Sequence, residues 1–213
     1  FRPVAELRRK SRERRRMCIF AMKPLTLLAF ISVFSSASAA VKLPSIFTDH
    51  MVLQRERPAA VWGKANAGAE VVIGFKGKTA TTKAAADGKW RTQIETGAAD
   101  AAGAVLSITA GADKLEIKDV LVGEVWFASG QSNMFYTMNR SPAYVGLIAE
   151  SKLPALRMFN APLVTAAENQ DDIDGTWKLT TPDSVPDFSA VAFFFARKLH
   201  LDLGIPVGVI KSA

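Results

Sequence analysis

Apolar and polar positions alternate in short runs over the first part of the chain, then give way to longer apolar stretches and a helical period. Residues 60–62, 70–75, 79–84, 89–94, 105–110 and 115–120 carry the residue types of strands. Between them lie Asn66-Ala67-Gly68, Lys76-Gly77-Lys78, Asp87-Gly88-Lys89 and Gly111-Ala112-Asp113, all turn formers. Several short strands at this spacing predict a small antiparallel β-sandwich over residues 41–118. Asp87-Gly88 is the strongest hairpin signal, because both residue types tolerate positive φ.

The pattern changes near residue 120. Residues 120–128 (VLVGEVWFA) are nearly all apolar, which predicts a strand covered on both faces. A Gly-Gln-Ser-Asn turn follows, then mixed helical stretches and a short strand at 156–159. Residues 189–203 (SAVAFFFARKLHLDL) predict the clearest helix, with Ser189 as N-cap and Gly204 at the C-terminal stop, followed by Pro206. Val191, Phe194, Phe195, Lys198, Leu199 and Asp202 trace one mostly apolar face of it. Residues 206–210 (PVGVI) then predict another buried strand. Strand, helix and strand in this order form a βαβ unit, so residues 119–213 are expected to begin an α/β domain with a parallel sheet.

Charge changes the picture only at the front of the chain. The formal net charge is +7, but residues 1–40 hold nine Lys/Arg against two Asp/Glu, and the remainder holds eighteen of each. The folded part therefore lacks the clustered basic surface that nucleic acid requires, and no nucleic-acid partner is expected. Residues 22–40 read as a signal peptide. Met22-Lys23-Pro24 is a short positive start, residues 25–34 are apolar but too short to span a bilayer, and residues 35–40 (SSASAA) offer a cleavage site after Ala39 or Ala40. Export to the periplasm or the extracellular space is expected, without stable membrane insertion after cleavage. Residues 1–21 contain RRKSRERRR, which no signal peptide requires, and read as an upstream or non-native segment. The single cysteine, Cys18, falls in that segment, so the mature chain is expected to have no disulfide and no cysteine chemistry.

Ser132 is the candidate nucleophile. It follows a predicted buried strand, with Gly130, Gln131 and Asn133 around it, as in a strand-to-helix turn that lifts a hydroxyl above a sheet edge. Gly130 permits close backbone approach, and Asn133 either helps hold the turn or makes a local structural bond. Other residues have plainer readings. His50 reads as a loop histidine and His200 as a partly exposed helical one; neither is assigned a catalytic role. Asp171, Asp172 and Asp174 lack the glycine and terminal glutamate of a calcium loop, so a solvated turn is expected. Trp62, Trp90, Trp126 and Trp177 have the chemistry to stack on sugars, but packing is the favoured role. No metal or cofactor is expected.

The string EVWFASGQSNM, from Glu124 to Met134, resembles the first conserved block of the sialate O-acetylesterase family within the SGNH hydrolases. LPSIFTDHMVLQ (residues 43–54), Val61-Trp62-Gly63, DVLVG (residues 119–123), residues 188–203 and Ile205-Pro206-Val207-Gly208 match further family segments in the right order. The resemblance implies a β-sandwich followed by the truncated start of a three-layer SGNH α/β esterase domain. It implies Ser132 as the nucleophile on an acetyl ester and its backbone N–H as one oxyanion donor, with an acetylated carbohydrate as the substrate. The family's remaining oxyanion donors, its Asp and its His belong to later blocks absent from this sequence, so the chain alone is expected to be inactive. The alternative is a non-catalytic carbohydrate-binding or structural module of an exported protein.

Overall fold

The computed structural model describes residues 40–212. Residues 1–39, with the upstream segment, Cys18 and nearly all of the expected signal peptide, lie outside the described residues, as does Ala213. Among the described residues no helix is long and apolar enough to cross a membrane.

The strands are β1 (Val52–Gln54), β2 (Ala59–Lys64), β3 (Glu70–Phe75), β4 (Lys78–Lys83), β5 (Lys89–Ile94), β6 (Asp100–Ala110) and β7 (Asp113–Ser129). There follow a one-turn helix α1 (Ser132–Phe135), two short 3₁₀ turns, α2 (Val145–Ala149), β8 (Leu153–Asn160), β9 (Trp177–Thr180), α3 (Ala190–Leu203) and β10 (Val207–Ser212). Seven strands form one sheet in the order β4-β3-β6-β7-β10-β8-β9, with β1 added beside β7, while β2 and β5 form a separate antiparallel ribbon. The architecture is thus mostly sheet, mixed in direction, with few helices.

The six runs predicted before residue 120 fall on strands. In β3, Val71, Ile73 and Phe75 point inward and are essentially inaccessible, which is the period-two pattern that marked the segment. Lys76 and Gly77 join β3 to β4 with φ of 48° and 74°, a two-residue loop with both centres left-handed. Asp87-Gly88, expected to be the strongest hairpin, is a turn but not a hairpin. β4 pairs with β3 and β5 pairs with β2, so this turn carries the chain from the large sheet to the ribbon. The ribbon and the large sheet share one core, in which Val61, Trp90 and Ile94 meet Val71, Ile73, Phe75, Leu106 and Ile108.

β7 is the spine of the molecule. Its first part is antiparallel to β6, residues 121–123 run parallel to β1, and residues 124–129 run parallel to β10. Between Ile117 and Val120 the register to β6 shifts, with Asp119 at φ 54°. Gly123 marks the changeover, since a Cβ there would sit 2.0 Å from the Pro206 carbonyl oxygen. Only glycine lets β10 enter so closely. β8 and β10 are also parallel, and α3 is the helical leg of the crossover that leads into β10.

Three details depart from the sequence pattern. Residues 120–123 are buried, but Trp126 and Phe127 are 43% and 67% exposed, so the apolar run is not covered on both faces throughout. Helix α3 has the expected caps, with Ser189 Oγ accepting from Ala192 N–H and Gly204 at φ 65°. Yet it buries Ala190, Ala192, Phe193 and Ala196, while Val191 and Phe195 of the expected inner face are exposed. The helix is apolar nearly all round in its first two turns, so its own sequence does not select the inner face; the sheet takes the side carrying three alanines and Phe193. β1 and β9, of three and four residues, carry too short a period to be seen in sequence.

Candidate active site

Parallel strands β7 and β10 end together, with Lys211 opposite Ala128 and Ser212 opposite Ser129. The chain leaves this edge through Gly130 and Gln131 and turns into α1, whose first residue is Ser132. All four residues from Gly130 to Asn133 are exposed. Gly130 lies under Met134, where a Cβ would come within 3.2 Å of the Met134 Cβ. The first hydrogen bond of the turn runs from Phe135 N–H to the Gln131 carbonyl at 3.1 Å. The N–H groups of Ser132, Asn133 and Met134 precede that bond and have no acceptor within the turn. With only four residues α1 adds little dipole; what it offers is individual N–H donors beside an exposed hydroxyl.

The turn is held from behind by the start of α3. The Ser189 hydroxyl that caps α3 also contacts Met134 Sδ at 3.3 Å. Ala190 N–H donates to the Tyr136 carbonyl at 2.8 Å, and Met138 N–H donates to the Phe188 carbonyl at 3.0 Å. Met138 is fully buried, so the segment after the serine is pinned while the serine itself stays free to solvent. Two cations lie over the Phe135 ring: Lys211 Nζ at 4.8 Å and the Arg140 guanidinium at 5.8 Å from its centroid. Lys211 is buried, and burial lowers its ammonium below the usual lysine range. No sequence motif singled out Lys211, because a lysine in an apolar strand gives no signal until the partner strands are known.

Neither histidine reaches this turn. His50 Nδ1 lies 2.7 Å from Asp119 Oδ2, and the same carboxylate accepts from Arg157 Nη1 at 2.7 Å. This is a histidine–carboxylate pair, which sequence reading did not expect, since His50 and Asp119 are 69 residues apart. Ten residues of β7 separate Asp119 from Ser129, about 33 Å of strand, so the pair is far out of hydrogen-bond range of Ser132. Its role is to tie β7 to β8 and the segment before β1. Arg157 is 4% exposed; burial raises the Asp119 carboxyl, but hydrogen bonds from Arg157 and His50 outweigh it and hold the group below the usual carboxylate range. His200 sits near the opposite end of α3, with Nδ1 2.7 Å from the Ile205 carbonyl oxygen. Ten residues of helix, about 15 Å, lie between it and the end of α3 that holds the serine turn.

The acidic cluster is engaged by the protein. Asp171 pairs with Lys89 at 2.9 Å and with Lys64 at 3.6 Å, and Asp172 Oδ1 accepts from Ser45 N–H at 2.7 Å. Among the described residues no group of three or more His, Cys, Asp or Glu is placed to hold a metal ion. Of the tryptophans, Trp90 and Trp177 are buried, Trp177 donating to the Ile46 carbonyl at 2.8 Å. Trp126 packs edge-on against Phe195, and Trp62 against Phe47.

Comparison with known proteins follows the same line. The chain is similar to the sialate O-acetylesterase of Mus musculus, 28% identical over 208 residues, which is 89% of this chain and 38% of that protein. The sialate O-acetylesterase of Homo sapiens is 28% identical over 198 residues, covering 84% and 38%. Among solved structures, a carbohydrate acetylesterase from Xanthomonas citri superposes with a TM-score of 0.77 at 35% identity, over 80% of this chain and 40% of that one. No family model matches the chain. The chain spans about two fifths of the length of the relatives it matches. The resemblance carried by the Gly130–Met134 block and its companion segments is therefore borne out as a relationship to the sialate O-acetylesterases.

Proposed function

We propose that this relative of the sialate O-acetylesterases carries the nucleophile end of an exported serine esterase that removes O-acetyl groups from carbohydrates. The observation that supports the reading best is the placement of Ser132. It is an exposed hydroxyl at the C-terminal edge of parallel strands, on a turn braced by α3, beside the N–H groups that open a helical turn. In the reaction, Ser132 Oγ attacks the acetyl carbonyl and loses its proton to a base, and the carbonyl oxygen becomes an oxyanion. The Ser132 N–H is the donor assigned to that oxyanion, and a preorganised donor of this kind is worth about 3 kcal/mol in the barrier. Collapse of the tetrahedral intermediate expels the sugar hydroxyl and leaves an acetyl-serine, which water then cleaves. Gly130, Gln131 and Asn133 act as supports, shaping the turn rather than reacting.

Neither histidine lies at the serine turn, so the reading assigns the general base to neither of them. Hydrolysis of p-nitrophenyl acetate by this chain alone should therefore stay at background. A fluorophosphonate probe applied to a longer form of the protein that hydrolyses acetyl esters should label Ser132, and Ser132→Ala should remove both label and activity. Retained turnover in Ser132→Ala would sink the assignment.

A further inference from the structure

The ribbon of β2 and β5 borders a cavity of about 540 Å³ that the serine chemistry does not use. Its walls include Trp62, Trp90, Lys42, Lys64, Lys89 and Arg91. Four cations thus face two carboxylates, Asp171 and Asp172. The first carboxylate is shared by Lys64 and Lys89, and the second is taken up by the Ser45 backbone. The excess is positive and lies on exposed side chains. Arg91 is stacked over the Trp62 ring, its guanidinium carbon 5.8 Å from the ring centroid, which pre-sets the fork beside an aromatic surface. Trp90 is 4% exposed, yet among the described residues its indole N–H has no hydrogen-bond partner. A buried donor of this kind costs about 1–3 kcal/mol and calls for an explanation. The Cζ2 edge of that indole, next to Nε1, lies against Gly63, itself in the cavity wall.

Aromatic surface, a planar bidentate cation and further lysines are what a carboxylate-bearing sugar needs: a flat face for its C–H groups and charged donors for its carboxylate. We propose that this cavity is a second carbohydrate site, outside the serine turn, that holds an anionic sugar residue of a glycan chain. The chain has a path onward. A neighbouring cavity of about 790 Å³ shares Pro44, Trp62, Asp171 and Asp172 and extends to Phe127 and Ser212 at the ends of β7 and β10. A polymer lying along both cavities runs from the ribbon towards the strand ends that carry Ser132.

The test measures binding, not hydrolysis, so failure of the esterase reading leaves it untouched. Calorimetric titration of the purified chain with tetragalacturonate and with xylotetraose compares an anionic and a neutral tetrasaccharide. The anionic one should bind more tightly, and its affinity should fall as salt is raised. Arg91→Gln, on the exposed rim, should weaken it about tenfold, as for one lost charge-assisted contact, with no change in melting temperature. Trp62→Leu should weaken both sugars; if that half-buried change unfolds the chain, Arg91→Gln still decides. Equal binding of the two sugars, no binding of tetragalacturonate, or an Arg91→Gln affinity equal to wild type would overturn the proposal.

Discussion

The two ends of β7 differ in how completely they are covered. Around its first part, β3, β6 and the β2–β5 ribbon close a core in which Val61, Val71, Ile73, Leu106, Ile108 and Val120 are fully buried. At its far end, both faces of the same strand are partly open. Trp126, Phe127, Val191 and Phe195 are between 42% and 67% exposed, and the loop carrying Ser132 projects beyond them. One strand therefore serves as a packing element at one end and as a platform at the other. The proposed nucleophile sits at the end where packing is least complete, and the hydrogen-bonded knot of His50, Asp119 and Arg157 marks the transition.

Substitutions of similar size at the two ends should separate these roles. Phe75→Ala empties a site that is 1% exposed and should cost about 3–5 kcal/mol in urea unfolding. Phe127→Ala, at the open end, should change stability by less than about 0.5 kcal/mol; equal losses would mean that the far end is as well packed as the near one. Gly123→Ala comes next, at about 3 kcal/mol, because backbone cannot yield as a side-chain tip can.

Asp119→Asn tests the knot between the two ends. Asparagine keeps the left-handed backbone (φ 54°) but removes the charge opposite buried Arg157. The loss should be about 2 kcal/mol near neutral pH, below the full cost of breaking a buried pair because Asp119 is partly exposed. The folded carboxyl titrates below its unfolded value, so its contribution is present above about pH 4 and disappears as pH falls through the folded pKa. The gap between wild type and Asp119→Asn should therefore narrow in acid; a gap that is flat with pH would contradict the lowered carboxyl.

The smallest effect belongs to Lys211→Met, which keeps the length and removes the charge. The folded ammonium is lowered by burial, so the unfolded chain binds the extra proton over the alkaline range. Wild-type stability should rise relative to Lys211→Met as pH climbs towards about 10. Melting curves of the two proteins across that range check the sign.

Most strands, both caps of α3 and the serine turn were legible in the sequence because each is written in a few adjacent residues. A period of two, a Ser-Gly pair of caps and a Gly-Gln-Ser-Asn string need no partner to be recognised. The inner face of α3 was not legible, since Phe193, Phe194 and Phe195 are equally apolar and only the sheet beneath selects among them. The destination of the Asp87-Gly88 turn was hidden for the same reason: a turn specifies a reversal, not which sheet receives the next strand.

By itself the sequence determined where the chain bends and which segments are extended. Those follow from backbone sterics and local hydrogen bonding, whose range is a few residues. Tertiary structure alone decided that β7 pairs with both β6 and β10, that His50 belongs to Asp119 rather than to Ser132, and that Lys211 lies over the Phe135 ring of the Ser132 turn. It also brought Trp62, Arg91 and Asp171 to one cavity. Each of these depends on contacts between residues tens of positions apart, and their free energies are set by burial and pairing across the fold.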